Sequence, residues 1–254
     1  MRVPRAVSLL AAAALGGPAV ATGARHEPLP FAVGEELAYH VRASGVRGRG
    51  TMTVDGPVDV RGTETYHLRF VVKAGLGPFK GSDRTESWLD PRRMAALRFE
   101  SAERHIFSRR DERVELYPEA RRWETADGQT GESPTDAPLD ELSFIYFLRS
   151  LPLPNDTSYT FNRYFDAERN PTIVRVLARD TLTTKAGHFR IVLVEMRVRD
   201  SRHYAGEGIL RFALSDDTCR LPVRIESAMP NVGAVVFTLD AYRHPSGPCA
   251  AGQS

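Results

Sequence analysis

Apolar and polar residues alternate with a period of two through most of this chain. In Thr65–Lys73, Tyr66, Leu68, Phe70 and Val72 fall on one face, and His67, Arg69 and Lys73 on the other. Leu97 and Phe99 alternate with Arg98 and Glu100. Leu210, Phe212 and Leu214 oppose Arg211, and Leu221, Val223 and Ile225 oppose Arg220, Arg224 and Glu226. Such alternation predicts antiparallel strands with one buried and one wet face. Further strands are expected at Glu36–Ala43, Gly50–Val58, Ser82–Asp90, Arg104–Asp111, Arg113–Tyr117, Arg121–Thr125, Tyr159–Phe165, Thr172–Asp180, Phe189–Val198 and Gly233–Tyr242. Turn signals separate them, including the glycine-punctuated stretch Gly45–Gly50, Asp90-Pro91 and Ser215-Asp216-Asp217. About a dozen strands with no strand–helix alternation exclude a parallel α/β fold. The expected fold is all-β and mainly antiparallel, because a twisted sheet of this size curls or splits. It is a large curled sheet or open barrel, with one main helix packed on its concave face.

That helix is Asp140–Leu151, DELSFIYFLRSL. The pattern changes here from period two to a segment apolar on nearly every side, which must sit in a core or cover something apolar. Leu142, Ile145, Tyr146 and Arg149 share one face, while Phe144, Phe147 and Leu148 share much of the other. Asp140 is the expected N-cap, with Ser143 three residues on and Glu141 in the first turn; Pro152 ends the helix. Leu142, Ile145, Tyr146, Phe147 and Leu148 are the candidates for helix packing or for contact with an apolar ligand. Asp140 and Arg149 bracket the helix. The favoured reading is a cap at one end and a cation near the last carbonyls at the other. The competing one is a salt-bridged latch onto the sheet. The linker Gly128–Pro138 leads into the helix as a long loop within one domain.

The N-terminus changes the picture of where the protein works. Arg2 and Arg5 precede the apolar run Ala6–Leu15, Gly16-Gly17-Pro18 break it, and Ala19-Val20-Ala21 supplies small residues. This pattern predicts a secretory signal cleaved after Ala21. No Cys follows the apolar run, so the expected product is periplasmic or secreted and not a lipoprotein. Residues 22–29 read as a linker, 30–244 as a single β-rich domain, and 245–254 as a tail. No later segment is long and apolar enough to span a bilayer.

The net charge is +2, and losing Arg2 and Arg5 takes it to zero, which argues against nucleic-acid binding by charge alone. Two cysteines, Cys219 and Cys249, in an exported chain point to one disulfide. It would tie the tail to the sheet edge and contribute ~3 kcal/mol or less. Two free thiols, or a metal pair with His244, are the alternatives, although nothing nearby completes a ligand set. The search for chemistry is otherwise thin. The histidines His26, His40, His67, His105, His188, His203 and His244 form no metal-binding pair at helical spacing, and no nucleophile elbow or phosphate loop occurs. No catalytic, cofactor or metal residue is assigned. Asp216 and Asp217 read as a turn whose carboxylates cap their own backbone.

Four segments in order carry a resemblance. Pro30–Tyr39 reads PFAVGEELAY. Leu139–Ser143 is followed by Tyr146 and Arg149. Thr184-Lys185-Ala186-Gly187-His188-Phe189 leads into a strand. Ser215-Asp216-Asp217 precedes Arg220-Leu221-Pro222. Together they resemble the exported bacterial family called domain of unknown function 3108, over about Pro30 to Tyr242. The resemblance implies a large antiparallel sheet, a structural role for Asp140, Arg149, Asp216, Asp217 and Arg220, and no established activity. In outline it is similar to the half-barrels of outer-membrane lipoprotein carriers, a likeness of fold alone. The expected function is therefore a non-enzymatic envelope protein that binds or carries an apolar ligand such as lipid. A structural or protein-interaction module with an envelope partner is the alternative. A hydrolase comes third and would need His67, His105, His188 or His203 clustered with carboxylates in one cleft.

Overall fold

The structure, a computed structural model, describes residues 28–43, 45–76, 79–104, 108–200, 206–229, 233–247 and 249. The expected signal segment 1–21 and His26, His105 and His203 lie outside the described residues. Fourteen strands form one sheet. They are β1 (Glu36–Ala43), β2 (Val46–Val60), β3 (Thr63–Leu76), β4 (Phe79–Asp90), β5 (Ala95–Arg104), β6 (Arg109–Tyr117), β7 (Arg122–Thr125) and β8 (Thr130–Glu132). After the helix α1 (Glu141–Ser150) come β9 (Ser158–Phe161), β10 (Thr172–Thr184), β11 (Gly187–Asp200), β12 (Gly206–Ser215), β13 (Pro222–Met229) and β14 (Gly233–Arg243). Their order is β8-β7-β6-β5-β4-β3-β2-β1-β14-β13-β12-β11-β10-β9, and every paired strand is antiparallel to its neighbour. The chain thus runs outward from β1 to one edge, crosses through α1 to the opposite edge, and returns to pair β14 with β1.

The sheet curls without closing. Its two ends meet through irregular chain. Ala96 N–H donates to the Pro138 carbonyl at 2.8 Å, Leu139 N–H to Arg163 O at 2.7 Å, and Phe165 N–H to Leu139 O at 3.0 Å. Leu139 and Tyr164 form an isolated parallel bridge. Tyr164 and Phe165, just beyond β9, then join Ala96, Phe99, Val114 and Leu116 of β5 and β6 in a small core, with Trp123 against it. The Arg163 side chain fastens the same seam through the carbonyls of Ala137 and Met94. Backbone groups that ladder pairing would have satisfied in a closed barrel are satisfied here by the connector.

The larger core lies on the concave face. It joins α1 to Leu37 and Tyr39 of β1, Met52 and Val54 of β2, Leu68 of β3, and the inward residues of β10 to β14. The helix occupies one end of the curl, near the turns at Arg61-Gly62 and Asp216–Leu221. The opposite, or far, end carries the connections β1–β2, β3–β4, β5–β6, β11–β12 and β13–β14.

Several expected boundaries shift. The stretch Gly45–Gly50 is a turn only at its start, and β2 resumes at Val46. A Cβ at Gly48 would stand 2.5 Å from the Lys73 carbonyl, so the glycine serves close strand approach rather than reversal. The expected strand Arg104–Asp111 is not one strand: Arg104 pairs directly with Arg109, so the chain has turned back between β5 and β6. Pairing expected to run from Tyr159 to Phe165 stops at Phe161. There Asn170 takes over, accepting from Tyr164 N–H at 3.0 Å and donating to its carbonyl at 3.0 Å. Part of the expected linker Gly128–Pro138 forms the edge strand β8. The pattern missed it because a three-residue edge strand is too short to show alternation.

Candidate functional site

The helix is held at both ends by buried polar groups. At its N-terminus, Asp140 Oδ1 accepts from the backbone N–H of Leu142 and Ser143, each at 2.9 Å, and Ser143 Oγ accepts in return from Asp140 N–H at 2.8 Å. This reciprocal box satisfies donors that a helix start leaves unpaired. The remaining oxygen, Oδ2, accepts from Ser87 Oγ of β4 at 2.5 Å, so the cap also fastens the helix to the sheet. Burial pushes the Asp140 carboxyl up to about 6, against the hydrogen bonds from Ser87 and Ser143 that favour its charge.

At the C-terminus, Arg149 corrects the favoured expectation. It is not a surface cation near the last carbonyls but a latch, 1% exposed. Its Nη1 donates to Glu35 Oε1 at 2.7 Å and its Nη2 to Oε2 at 2.6 Å, with Glu35 equally buried. Nη2 also donates to the carbonyls of Pro30 and Cys219, both at 3.0 Å. The guanidinium lies 5.4 Å from the Phe31 ring centroid and 5.1 Å from that of Tyr146. Burial alone would lower the Arg149 pKa, but the adjacent Glu35 charge and hydrogen bond raise it, so the group stays charged. The reason is geometric. Every residue from Leu142 to Arg149 is buried, so the helix has no wet face from which Arg149 could reach solvent, and a buried charge needs a partner.

The five apolar candidates Leu142, Ile145, Tyr146, Phe147 and Leu148 are all buried in this interface. Tyr146 meets Phe31 edge-on at 4.8 Å, while Phe147 meets Phe144 at 5.7 Å and Phe161 at 5.1 Å. The helix is a plug. Burial pushes the Tyr146 hydroxyl well above its ordinary value, and that hydroxyl has no hydrogen-bond partner among the described residues.

Cys219 and Cys249 are bridged, with sulfurs 2.09 Å apart. Because β13 and β14 sit in the middle of the sheet, the bridge fastens the tail to the helix end of the curl and not to the sheet edge. His244 stands beside it, Nε2 3.3 Å from the Pro30 carbonyl and 3.7 Å from Glu35. Cys219, His244 and Cys249 place ligand-type atoms within 4.8 Å of one another, but both sulfurs are committed to the bridge. Asp217 Oδ1 accepts from Ser215 Oγ and from the N–H of Cys219 and Arg220, as a turn requires. Asp216 pairs with Arg179 and Arg220. Of the four histidines invoked for a hydrolase, the two described are apart: His67 on β3, stacked on Trp88, and His188 on β11, beside Thr183, with five strands between them.

Beyond the plug the concave face continues. Tyr39, Phe70 and Phe237 form an aromatic floor, with Phe70 and Phe237 centroids 5.3 Å apart. They meet across Gly50, where a Cβ would stand 3.2 Å from one ring and 3.4 Å from the other. Past this floor, Val72, Val198 and Leu210 turn inward by register and stay half-buried. On the same face of β4 and β5, Asp83 and Glu103 stand opposite each other and limit the apolar surface to the other strands.

The family model described as "Protein of unknown function (DUF3108)" matches residues 38–240. The chain belongs to this family. No curated protein matches it in sequence. Among solved structures, it is similar to a beta-barrel-like protein of the domain of unknown function DUF1849 from Brucella abortus. The TM-score is 0.56 at 13% identity, covering 84% of this chain and 98% of that one. At that identity the likeness establishes the fold. A candidate lipoprotein from Parabacteroides distasonis superposes with a TM-score of 0.32 at 11% identity, covering 85% of this chain and 98% of that one. A candidate exported protein with a YmcC-like fold from Bacteroides fragilis gives 0.31 at 11% identity over the same shares. Superposition that loose transfers nothing to this chain. No helix among the described residues is long and apolar enough to cross a membrane.

Glu35, Ser87, Phe31 and Tyr39 had no place among the candidates. Glu35 was within reach: an Arg inside an all-apolar helix demands a carboxylate, and the motif PFAVGEELAY offers two adjacent ones. Ser87 and the carbonyl of Cys219 left no signal, since their roles come from where the chain returns.

Proposed function

We propose that this DUF3108 chain is an exported, non-enzymatic binding protein of the cell envelope. It takes an apolar chain, such as a lipid acyl chain, into the helix-free end of its curled sheet. The observation that carries the reading is the row of half-buried apolar side chains on the concave face beyond α1: Phe70, Val72, Val198, Leu210 and Phe237. A concave sheet face with apolar walls is where small apolar ligands bind. The ligand lies past the aromatic floor and not beneath the helix, whose interface is filled and latched.

Titration of the lipid-free protein with cis-parinaric acid tests this. Saturable uptake is expected, with loss of uptake in Val72→Asp while near-UV circular dichroism stays native. A folded, lipid-free protein that takes up no acyl probe sinks the reading.

A second reading, an interaction module, draws on a different observation. β10 pairs with β9 only over Thr172–Arg175, which leaves the edge Ala178–Thr184 without a neighbouring strand among the described residues. Leu177 is 46% exposed beside it. Such an edge can accept a strand from a partner. Pull-down from envelope extracts, with Leu177→Lys as the comparison, decides: a partner lost in the variant favours this reading.

A further inference from the structure

The outer surface of the far end carries like charges placed directly opposite one another. Arg42 of β1 faces Arg47 of β2, Arg49 of β2 faces Lys73 of β3, and Arg104 of β5 faces Arg109 of β6. Like charges in register cost stability. Elsewhere opposite charges often fall in register, as Arg69 does with Glu86, Arg98 with Glu115 and Glu195 with Arg211, and the like pairs Glu86–Glu100 and Glu115–Glu124 are each bridged to arginines. Arg42, Arg47, Arg49 and Lys73 are exposed and have no carboxylate partner among the described residues. Among the described residues, Arg104 alone of the strip is paired, to Asp111 at 2.5 Å.

Arg42, Arg47, Lys73 and Arg104 of this strip line two grooves that share Arg47. One, of 550 Å³, is bounded by Arg47, Lys73, Gly75, Ser82 and Arg104 among others, and the second, of 400 Å³, by Arg42, Gly45 and Arg47 among others. Among the described residues no carboxylate lines either. A chain with a net charge of only +2 has therefore gathered on one rim several cations that have no carboxylate partner among the described residues.

We propose that this rim docks on a bilayer surface bearing anionic headgroups. The grooves seat phosphates between cations that otherwise repel, and Gly45, where an added Cβ would meet nothing within 4 Å, leaves space beside Arg42 and Arg47. Docking goes beyond apolar-ligand binding and does not need it. Where both hold, the mouth of the concave face looks into the bilayer from which an acyl chain would come.

Co-sedimentation with vesicles tests the docking. Wild-type protein is expected to pellet with phosphatidylglycerol–phosphatidylcholine vesicles, to stay in solution with pure phosphatidylcholine, and to release in 0.5 M NaCl. The double variant Arg47→Glu/Lys73→Glu should bind at least about thirtyfold more weakly, because losing two basic residues at roughly fivefold each gives that factor and the new carboxylates add repulsion. Arg92→Glu/Arg243→Glu, the same charge change at the helix end, should bind as wild type does. No binding to anionic vesicles, equal binding to both vesicle types, or equal loss in both double variants overturns the proposal. Parinaric acid uptake by the same proteins keeps the two readings apart: vesicle binding without uptake removes the ligand and leaves the docking surface.

Discussion

The two ends of the curled sheet are made from the same strands yet solve opposite problems. At the helix end, β1 to β4 and β11 to β14 press their apolar faces onto α1, and the ionisable groups at the two helix ends are paired: Arg149 with Glu35, Asp140 with Ser87 and its own helix. At the far end the same strands continue past the aromatic floor with half-buried apolar residues inside and, outside, cations without a carboxylate partner among the described residues. One end resembles a domain core and the other a surface prepared for something else. Stability and binding are thus separated along the strand direction, so substitutions at one end should leave the property of the other largely untouched.

The sharpest way to break this division is at the latch. Arg149→Met takes the bidentate cation from buried Glu35 and leaves only His244, 3.7 Å away, beside it, and urea denaturation should show a loss of about 3–5 kcal/mol. Adding Glu35→Leu should recover much of that loss, because an apolar pair of similar volume needs no charge compensation. A single variant as stable as wild type would falsify the latch. Opening the Cys219–Cys249 bridge, 30 residues apart in sequence, should cost ~3 kcal/mol by freeing the unfolded chain. Vesicle binding of the reduced protein below its unfolding transition should not change.

A smaller effect concerns pH. The Asp140 carboxyl is raised to about 6 in the folded protein by burial. The native state therefore holds a proton that the unfolded chain has released. The stabilisation from this group is complete below the unfolded value near 3.8 and is lost as pH rises through about 6. Asp140→Asn keeps a capping oxygen and removes the titration. The stability difference, variant minus wild type, should thus grow between pH 4 and pH 6.5 by on the order of 2 kcal/mol. A difference that stays flat across that range removes the assignment.

Two variants should change stability least. Tyr146→Phe deletes a buried hydroxyl that has no partner among the described residues, and the melting temperature should hold or rise by the equivalent of ~1 kcal/mol. At the far end, Val72→Thr should cost less than ~1 kcal/mol because the site is already half wet, while weakening acyl-probe uptake. If Val72→Thr unfolds the protein as Arg149→Met is expected to, the far end is core after all.

Much of this was legible in the chain. The face assignments of β3, β12 and β13, the capping box at Asp140, the Ser215–Asp217 turn and the pairing of the two cysteines all follow from local pattern or count. The boundaries that moved did so where tertiary contacts decide. Gly48 reads as a turn residue until the Lys73 carbonyl occupies its side-chain space, and Asn170 ends a strand by holding Tyr164 from six residues away.

The sequence by itself determined that a large antiparallel sheet must curl around one apolar helix, because period-two alternation and a helix without a polar face leave no other burial. Only the tertiary structure decided that Arg149 is a latch, that the two sheet ends meet through Pro138–Leu139 and Tyr164–Phe165, and that cations from three strand pairs gather on one rim. Each of these depends on which residues a long-range register brings into line. An alternating pattern fixes the face on which a side chain lies, but not the residue opposite it.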